Sequence, residues 1–64
     1  MTVKIGDIIL NRVPAHYYKN SKGQVKEITN TEIVVVYKLN DKTNIDIRHN
    51  IFDLKYFEIV QQAV

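Results

Sequence analysis

Few residues in this chain could support catalysis. Ser21 is the only serine, so a nucleophilic mechanism would need its hydroxyl beside His16 or His49, together with an orienting acid. His16 precedes Ser21 on the same segment, but nothing in the pattern supplies the acid or an oxyanion donor. A serine in a polar surface turn explains the same residue. We therefore expect no catalytic residues and no enzymatic activity.

A metal site or a phosphate-binding loop has as little support. The chain has no cysteine and two histidines, so a metal ion would need His49 to converge with carboxylates such as Asp46 and Asp53. Gly6 and Gly23 stand alone and form no glycine-rich phosphate cradle. We expect no metal and no cofactor.

A cluster suited to binding is easier to find. Tyr17 and Tyr18 are adjacent, with His16 before them and Lys19 and Lys22 after them. Aromatic rings beside cations on a loop can stack on bases, dock a peptide or anchor a protein partner. The alternative is that one tyrosine packs over the end of the fold while its hydroxyl stays in water.

Further cations follow two of the strands described below. Arg12 ends the first strand, and Arg48 and His49 end the fourth. If they approach the segment 19–22, they form a basic rim that could steer an acidic protein or contact phosphates. Alternatively, they are dispersed, solvated cations balanced by nearby carboxylates.

Two valines raise a question about exposure. Alternation along the third strand places Ile33, Val35 and Tyr37 on one face and Val34 and Val36 on the other. A barrel has one interior, so Val34 and Val36 should point outward. Clustered exposed apolar residues often mark a contact surface. The alternative is that the loop of residues 13–18 or the C-terminus covers them.

The elements that must position these residues are short strands. β-branched and aromatic runs or strict alternation mark each strand, and polar turns separate them. The segment 50–55 is too short for a stable helix and suits one 3-10 turn, and residues 61–64 are expected to fray. The predicted strands cover residues 6–10, 23–28, 33–37, 44–48 and 56–60.

These strands predict an all-β fold, specifically an SH3-like, five-stranded, partly open barrel with one 3-10 turn before the last strand. Residues 1–64 would form a single domain, because closure removes sheet edges that so small a chain would otherwise expose. The expected core residues are Ile5, Ile8, Leu10, Val25, Ile28, Ile33, Val35, Tyr37, Ile45, Ile47, Leu54, Phe57 and Ile59.

Composition narrows the class of protein. Apolar residues make up 45% and charged residues 25% of the 64 residues, which excludes a disordered tail and a membrane protein. The net charge of +2 is low for a dedicated nucleic-acid arm. The first residues lack the features of a secretory signal, so we expect a cytoplasmic protein.

One segment resembles a known barrel pattern. Gly23, Val25 and Ile28, followed by Ile33–Val36, resemble the Gly-x-Val-x-x-Ile…Val-x-Val pattern of SH3-like barrels, including KOW modules. The resemblance implies that Gly23 turns with a positive φ and that Val25 and Ile28 fill the barrel across a bulge. Many unrelated functions share this fold.

A narrower resemblance spans most of the chain. Gly6-Asp7, the segment 14–23 and the closing segment 52–58 are similar to small accessory subunits of cyanobacterial electron-transfer complexes. These families are photosystem I subunit IV (PsaE) and the O and S subunits of the NADPH-dehydrogenase-like complex. The resemblance implies no catalysis and a role in docking ferredoxin or stabilising a complex.

The sequence therefore predicts a non-catalytic accessory or adaptor subunit that docks on a larger protein assembly, in electron transport and photosynthesis if the narrower resemblance holds. The alternatives are a KOW- or Tudor-like nucleic-acid-binding module, a small homo-oligomeric barrel in which Val34 and Val36 pair across a symmetry axis, and a phage-type inhibitor. The residues expected to contact a partner are Tyr17, Tyr18, Lys19, Lys22, Val34, Val36, Arg48 and His49.

Overall fold

Alternating apolar side chains and tight polar turns make this chain a single curved antiparallel sheet. The structure is a computed structural model that describes residues 2–64. Its strands pair in the order β4-β3-β2-β1-β5, which confirms the predicted all-β class with five strands. The elements are β1 (Ile8–Asn11), β2 (Lys22–Ile28), β3 (Glu32–Asn40), β4 (Thr43–Asn50), a 3-10 helix (Ile51–Tyr56) and β5 (Phe57–Gln61).

The sheet curls until its two edge strands approach one another. β4 and β5 lie at opposite edges of the sheet, yet the rings of His49 on β4 and Phe57 on β5 meet edge to face with centroids 4.9 Å apart. The 3-10 helix spans this gap along the chain, as predicted. Asn50 caps the helix by accepting a hydrogen bond from the Phe52 amide at 2.9 Å.

The core confirms most of the predicted residues but corrects the phase of the first strand. Ile9 is completely buried, whereas Ile8 and Leu10 are only half-buried and Ile5 is 60% exposed. Because the side-chain period of a strand is two, a shift of one residue exchanges its faces. The apolar run Ile8-Ile9-Leu10 fits either phase. With Ile9 inside, Asn11 also points inward, and its side chain finds polar partners there. The fully buried apolar core is Ile9, Val25, Ile33, Val35, Tyr37 and Phe57.

Gly23 is required for a different reason from the one predicted. It lies in extended β2 and faces the interior, and the one glycine with a positive φ among the described residues is Gly6, at 96°. A Cβ at Gly23 would lie 2.5 Å from Val35 Cγ1 and 2.9 Å from the Tyr37 ring. Gly23 thus leaves room for these two side chains, while the predicted bulge is present just after Val25.

The C-terminal segment is held to the body of the protein, contrary to the expected fraying. The Asp7 carboxylate is buried and accepts hydrogen bonds from the Ala63 amide at 2.7 Å and the Lys4 amide at 2.9 Å. These backbone donors lower the pKa of Asp7. No helix within residues 2–64 has the length and apolarity that crossing a bilayer would require.

Candidate functional site

The segment between β1 and β2, residues 12–21, is called the tyrosine loop below. It begins with a turn in which the His16 amide donates to the Val13 carbonyl at 3.3 Å. Pro14 presets the first central position, and Ala15 takes the positive φ of 59° that a type II turn requires at the second. The turn reverses the chain and presents Tyr17 and Tyr18 at the end of the barrel.

Backbone hydrogen bonds close the base of the tyrosine loop. The Asn20 amide donates to the Asn11 carbonyl at 2.6 Å, and the Asn11 amide donates to the Ser21 carbonyl at 3.0 Å. The Arg12 amide donates to the Tyr56 carbonyl at 3.0 Å, which joins the loop to the end of the 3-10 helix. The loop is therefore fixed at both of its ends.

The two tyrosines take different roles. The ring of Tyr18 stacks on the buried ring of Tyr37, with centroids 4.7 Å apart and planes 11° apart. Tyr17 contacts Tyr18 edge to face at 4.9 Å but is 87% exposed. Tyr18 thus packs over the barrel end, which was the alternative considered from the sequence. Tyr17 is presented to solvent on an ordered aromatic base.

A buried polar cluster lies beneath these rings. The Asn11 Nδ2 donates to the Tyr37 hydroxyl at 3.1 Å, and that hydroxyl lies 2.8 Å from His49 Nε2. The hydroxyl accepts a hydrogen bond from Asn11 and donates its own to Nε2 of His49. Neutral His49 therefore carries its ring proton on Nδ1. His16 Nδ1 accepts a hydrogen bond from the Tyr18 amide at 3.0 Å. The ring centroids of His16 and His49 lie 4.7 Å apart.

Burial fixes the protonation of His49 and Tyr37. Burial first, and then the neighbouring His16, lower the pKa of His49 to about 4, while Asp53 acts in the opposite direction. Burial also raises the pKa of Tyr37 to about 12. His49 is 3% exposed and neutral at pH 7. The prediction that it contributes to a basic rim is therefore wrong, because desolvation disfavours its charged form.

The arginines expected in that rim lie near carboxylates. Arg48 contacts Glu32 at 3.3 Å and Arg12 contacts Glu58 at 3.7 Å, and all four side chains are substantially exposed. Such pairs contribute little to stability, but they cancel local positive charge. Arg12 and Arg48 are therefore dispersed, solvated cations balanced by nearby carboxylates, which is the alternative interpretation of the sequence.

Val34 and Val36 do face outward, opposite Arg48 and Asp46 on β4, but they are not freely exposed. Val34 is buried, with 7% of its surface exposed, and Val36 is half-buried. An open patch formed by both valines is therefore a wrong prediction.

Two ion pairs lie beside these valines on the outer face of the sheet. Lys26 on β2 and Asp46 on β4 meet at 2.7 Å, so their side chains must bridge over the strand between them, close to Val36. Arg48 on β4 pairs with Glu32 on β3 itself, beside Val34, which lies opposite Arg48 in the register. The apolar stems of long charged side chains can cover neighbouring hydrophobic surface in this way.

The 3-10 helix adds exposed rings that sequence reasoning missed. Phe52 is 80% exposed, and Tyr56 is partly exposed with Lys55 Nζ 5.4 Å from its ring centroid. Leu54 packs against the core instead. A six-residue helix with one side on the core must expose the others, and the aromatic residues at 52 and 56 were the available signal.

The residues considered for chemistry do not converge. No hydrogen bond among residues 2–64 joins the Ser21 side chain to either imidazole. Asp46 pairs with Lys26 on the outer face, away from the inward-facing His49. Across the described chain there is no group of three or more histidine or carboxylate side chains that could hold a metal ion.

Comparison of the chain with protein-family models, with curated proteins and with solved structures gives no match. The two resemblances drawn from the sequence therefore stay predictions.

Proposed function

We propose that this protein is a non-catalytic binding module, an accessory or adaptor subunit that docks on a larger protein assembly through the tyrosine loop. The observation that carries the proposal is the setting of Tyr17. This ring is 87% exposed, yet it rests edge to face on Tyr18, which stacks on the buried Tyr37. Exposed aromatic side chains in a fixed position are typical anchors of protein interfaces.

Preorganisation supports the choice of the tyrosine loop. Ordering a flexible side chain on binding costs about 0.5–1.5 kcal/mol, and ordering a loop costs more. Hydrogen bonds from Asn11, Arg12 and Asn20 already hold the tyrosine loop in place. A partner that covers Tyr17 would therefore gain apolar contact without much of this cost.

The surface around Tyr17 gives the partner its chemistry. Lys19 is exposed on the same loop, and the hydrogen bond from the Arg12 amide to the Tyr56 carbonyl joins the loop to the last residue of the 3-10 helix. The same helix carries the exposed ring of Phe52 near its other end. This combination suits a partner with an apolar patch beside acidic residues. The resemblance to cyanobacterial accessory subunits makes electron-transfer complexes the first assemblies to test.

The pairing of cations disfavours the nucleic-acid alternative. A nucleic-acid module needs a continuous row of cations to neutralise phosphates. Arg12, Lys26 and Arg48 each lie within 4 Å of a carboxylate instead.

Site-specific photo-crosslinking tests the proposal. A benzoylphenylalanine at position 17, introduced in cells of the source organism, is expected to give one dominant crosslinked protein that can be identified by mass spectrometry. The same probe at Asp41, in the exposed turn between β3 and β4, is the matched control. Crosslinks to nucleic acid, or the same products from both positions, would contradict the proposal.

A further inference from the structure

A groove of about 370 Å³ lies on the outer face of the sheet. Half-buried Ile8 and Val36 provide aliphatic surface in it, and the exposed side chains of Lys22, Gln24 and Lys38 lie along it. Its volume is within the usual range for ligand sites, about 300–1,000 Å³.

Two lysines in this groove face each other across neighbouring strands. Gly23 pairs with Tyr37, so Lys22 and Lys38 form the next cross-strand pair, and both point outward. Like charges directly opposite in a sheet destabilise it. The three ion pairs found within residues 2–64 include neither lysine. Asp46, the carboxylate beside Val36 in the register, is engaged by Lys26.

We propose that this groove binds an extended acidic segment of a partner protein, with an aliphatic side chain over Ile8 and Val36 and a carboxylate between Lys22 and Lys38. The lysine pair lies two residues along the strands from the Val36–Gln24 pair, a distance of about 7 Å. Residues i and i+2 of an extended peptide are separated by the same distance on one face. The recognised pattern is therefore an aliphatic residue, any residue, then Asp or Glu.

Charge complementarity and the aliphatic lining favour a peptide over a nucleic acid. The aromatic side chain that borders the groove belongs to Tyr37, which is buried and cannot stack on a base. Two cations also provide few phosphate contacts. The groove is separate from the exposed ring of Tyr17, so this inference does not depend on the function proposed above.

Fluorescence anisotropy with a labelled synthetic peptide tests the inference. The probe carries a central Leu-Ser-Glu, and its matched control carries Leu-Ser-Gln. We expect the full chain to bind the acidic peptide, with an affinity that falls as salt rises, and to bind the neutral peptide about tenfold more weakly. No binding of the acidic peptide below millimolar concentration would overturn the inference.

Variants locate the site. The double substitution Lys22→Gln with Lys38→Gln should weaken peptide binding at least about tenfold, while Lys42→Gln in the β3–β4 turn should change it less than about twofold. The melting temperature of the double variant should equal or exceed that of the parent, because a repulsive pair is removed. Weaker binding is then not a result of unfolding.

Two further measurements separate the alternatives. The variant Tyr17→Ala should retain peptide binding, and its loss would place the peptide on the tyrosine loop and overturn the inference. A labelled single-stranded oligonucleotide that binds more tightly than the peptide and competes with it would assign the groove to nucleic acid and overturn it equally. Unchanged peptide binding by the double variant would also overturn the inference.

Discussion

The Tyr37 hydroxyl lies 2.8 Å from His49 Nε2 in the interior of the barrel, and this hydrogen bond joins β3 to the edge strand β4. Asn11 on β1 donates to the same hydroxyl, so three strands meet at one oxygen atom. The ring of Tyr18 stacks on the ring of Tyr37, and the ring of Tyr17 contacts that of Tyr18 edge to face. The polar interior of the barrel and the exposed loop are thus one connected structure.

Removing the hydroxyl should destabilise the fold. The substitution Tyr37→Phe leaves the buried Asn11 amide and His49 Nε2 without this partner, and an unsatisfied buried polar group costs about 1–3 kcal/mol. We expect the free energy of unfolding in urea to fall by that amount. Tyr56→Phe, at a partly exposed ring, should change it by less than about 0.5 kcal/mol. Equal effects of the two substitutions would show that the hydrogen bonds contribute nothing.

Acid should destabilise the protein through His49. Its pKa is lowered to about 4 in the folded state, below the usual value of about 6.5 in an unfolded chain. The unfolded state therefore binds a proton first as the pH falls. Stability should be complete above about pH 6.5 and should decrease by about 3 kcal/mol as the pH falls to 4.

Urea unfolding at a series of pH values measures this dependence. His49→Gln retains a polar group without an imidazole, so the loss of stability between pH 6.5 and 4 should become much smaller. Asp7 supplies a separate effect, because its lowered pKa makes its contribution disappear only at more acidic pH. An unchanged slope in the His49→Gln variant would exclude His49 as the source.

Gly23 should tolerate no side chain. In Gly23→Ala the added Cβ would approach Val35 Cγ1 at 2.5 Å, so Val35 and the Tyr37 ring must move. Overpacking of this kind costs about 1–3 kcal/mol. Gln24→Ala, at the neighbouring outward-facing position, should cost less than about 0.5 kcal/mol by thermal or urea unfolding. A Gly23→Ala protein as stable as the parent would contradict the close packing described here.

Glycine at position 15 should stabilise the tyrosine loop. Ala15 has a φ of 59°, and the left-handed region costs a non-glycine residue about 1–2 kcal/mol. Ala15→Gly relieves that strain but adds freedom to the unfolded chain, so we expect a net gain of about 0.5–1 kcal/mol. Ala63→Gly, where φ is not positive, should give no gain. Destabilisation by Ala15→Gly would mean that the turn is not strained.

The sequence was sufficient for the fold because its strongest signals are local. The β-branched run at 33–36 and the alternation at 44–48 determined β3 and β4, and the polar residues between them determined the turn. The phase of β1 was not determined, since Ile8, Ile9 and Leu10 are equally apolar. The buried amide of Asn11, which is hydrogen-bonded to Tyr37 on β3 and to Val13 in the tyrosine loop, is what distinguishes the two phases.

The candidate site was only partly predictable, because its contacts join residues that are distant in sequence. The pair Tyr17-Tyr18 stood out, but which ring packs depends on Tyr37, a residue distant in sequence. His49 looked like a surface cation because its burial comes from contact with Phe57 across the open edge of the sheet. Val34 is buried although it faces outward, and the ion pair beside it joins two strands, so no pattern along one strand reveals this arrangement.

Docking through the tyrosine loop is tested by calorimetry of the complex between this chain and the partner protein identified by crosslinking at position 17. We expect Tyr17→Ala to raise the dissociation constant of that complex about 30-fold or more, the loss for an interface anchor worth about 2 kcal/mol. Lys42→Ala should leave it unchanged. The same dissociation constant for Tyr17→Ala and the parent chain would contradict the claim that the tyrosine loop is the docking surface.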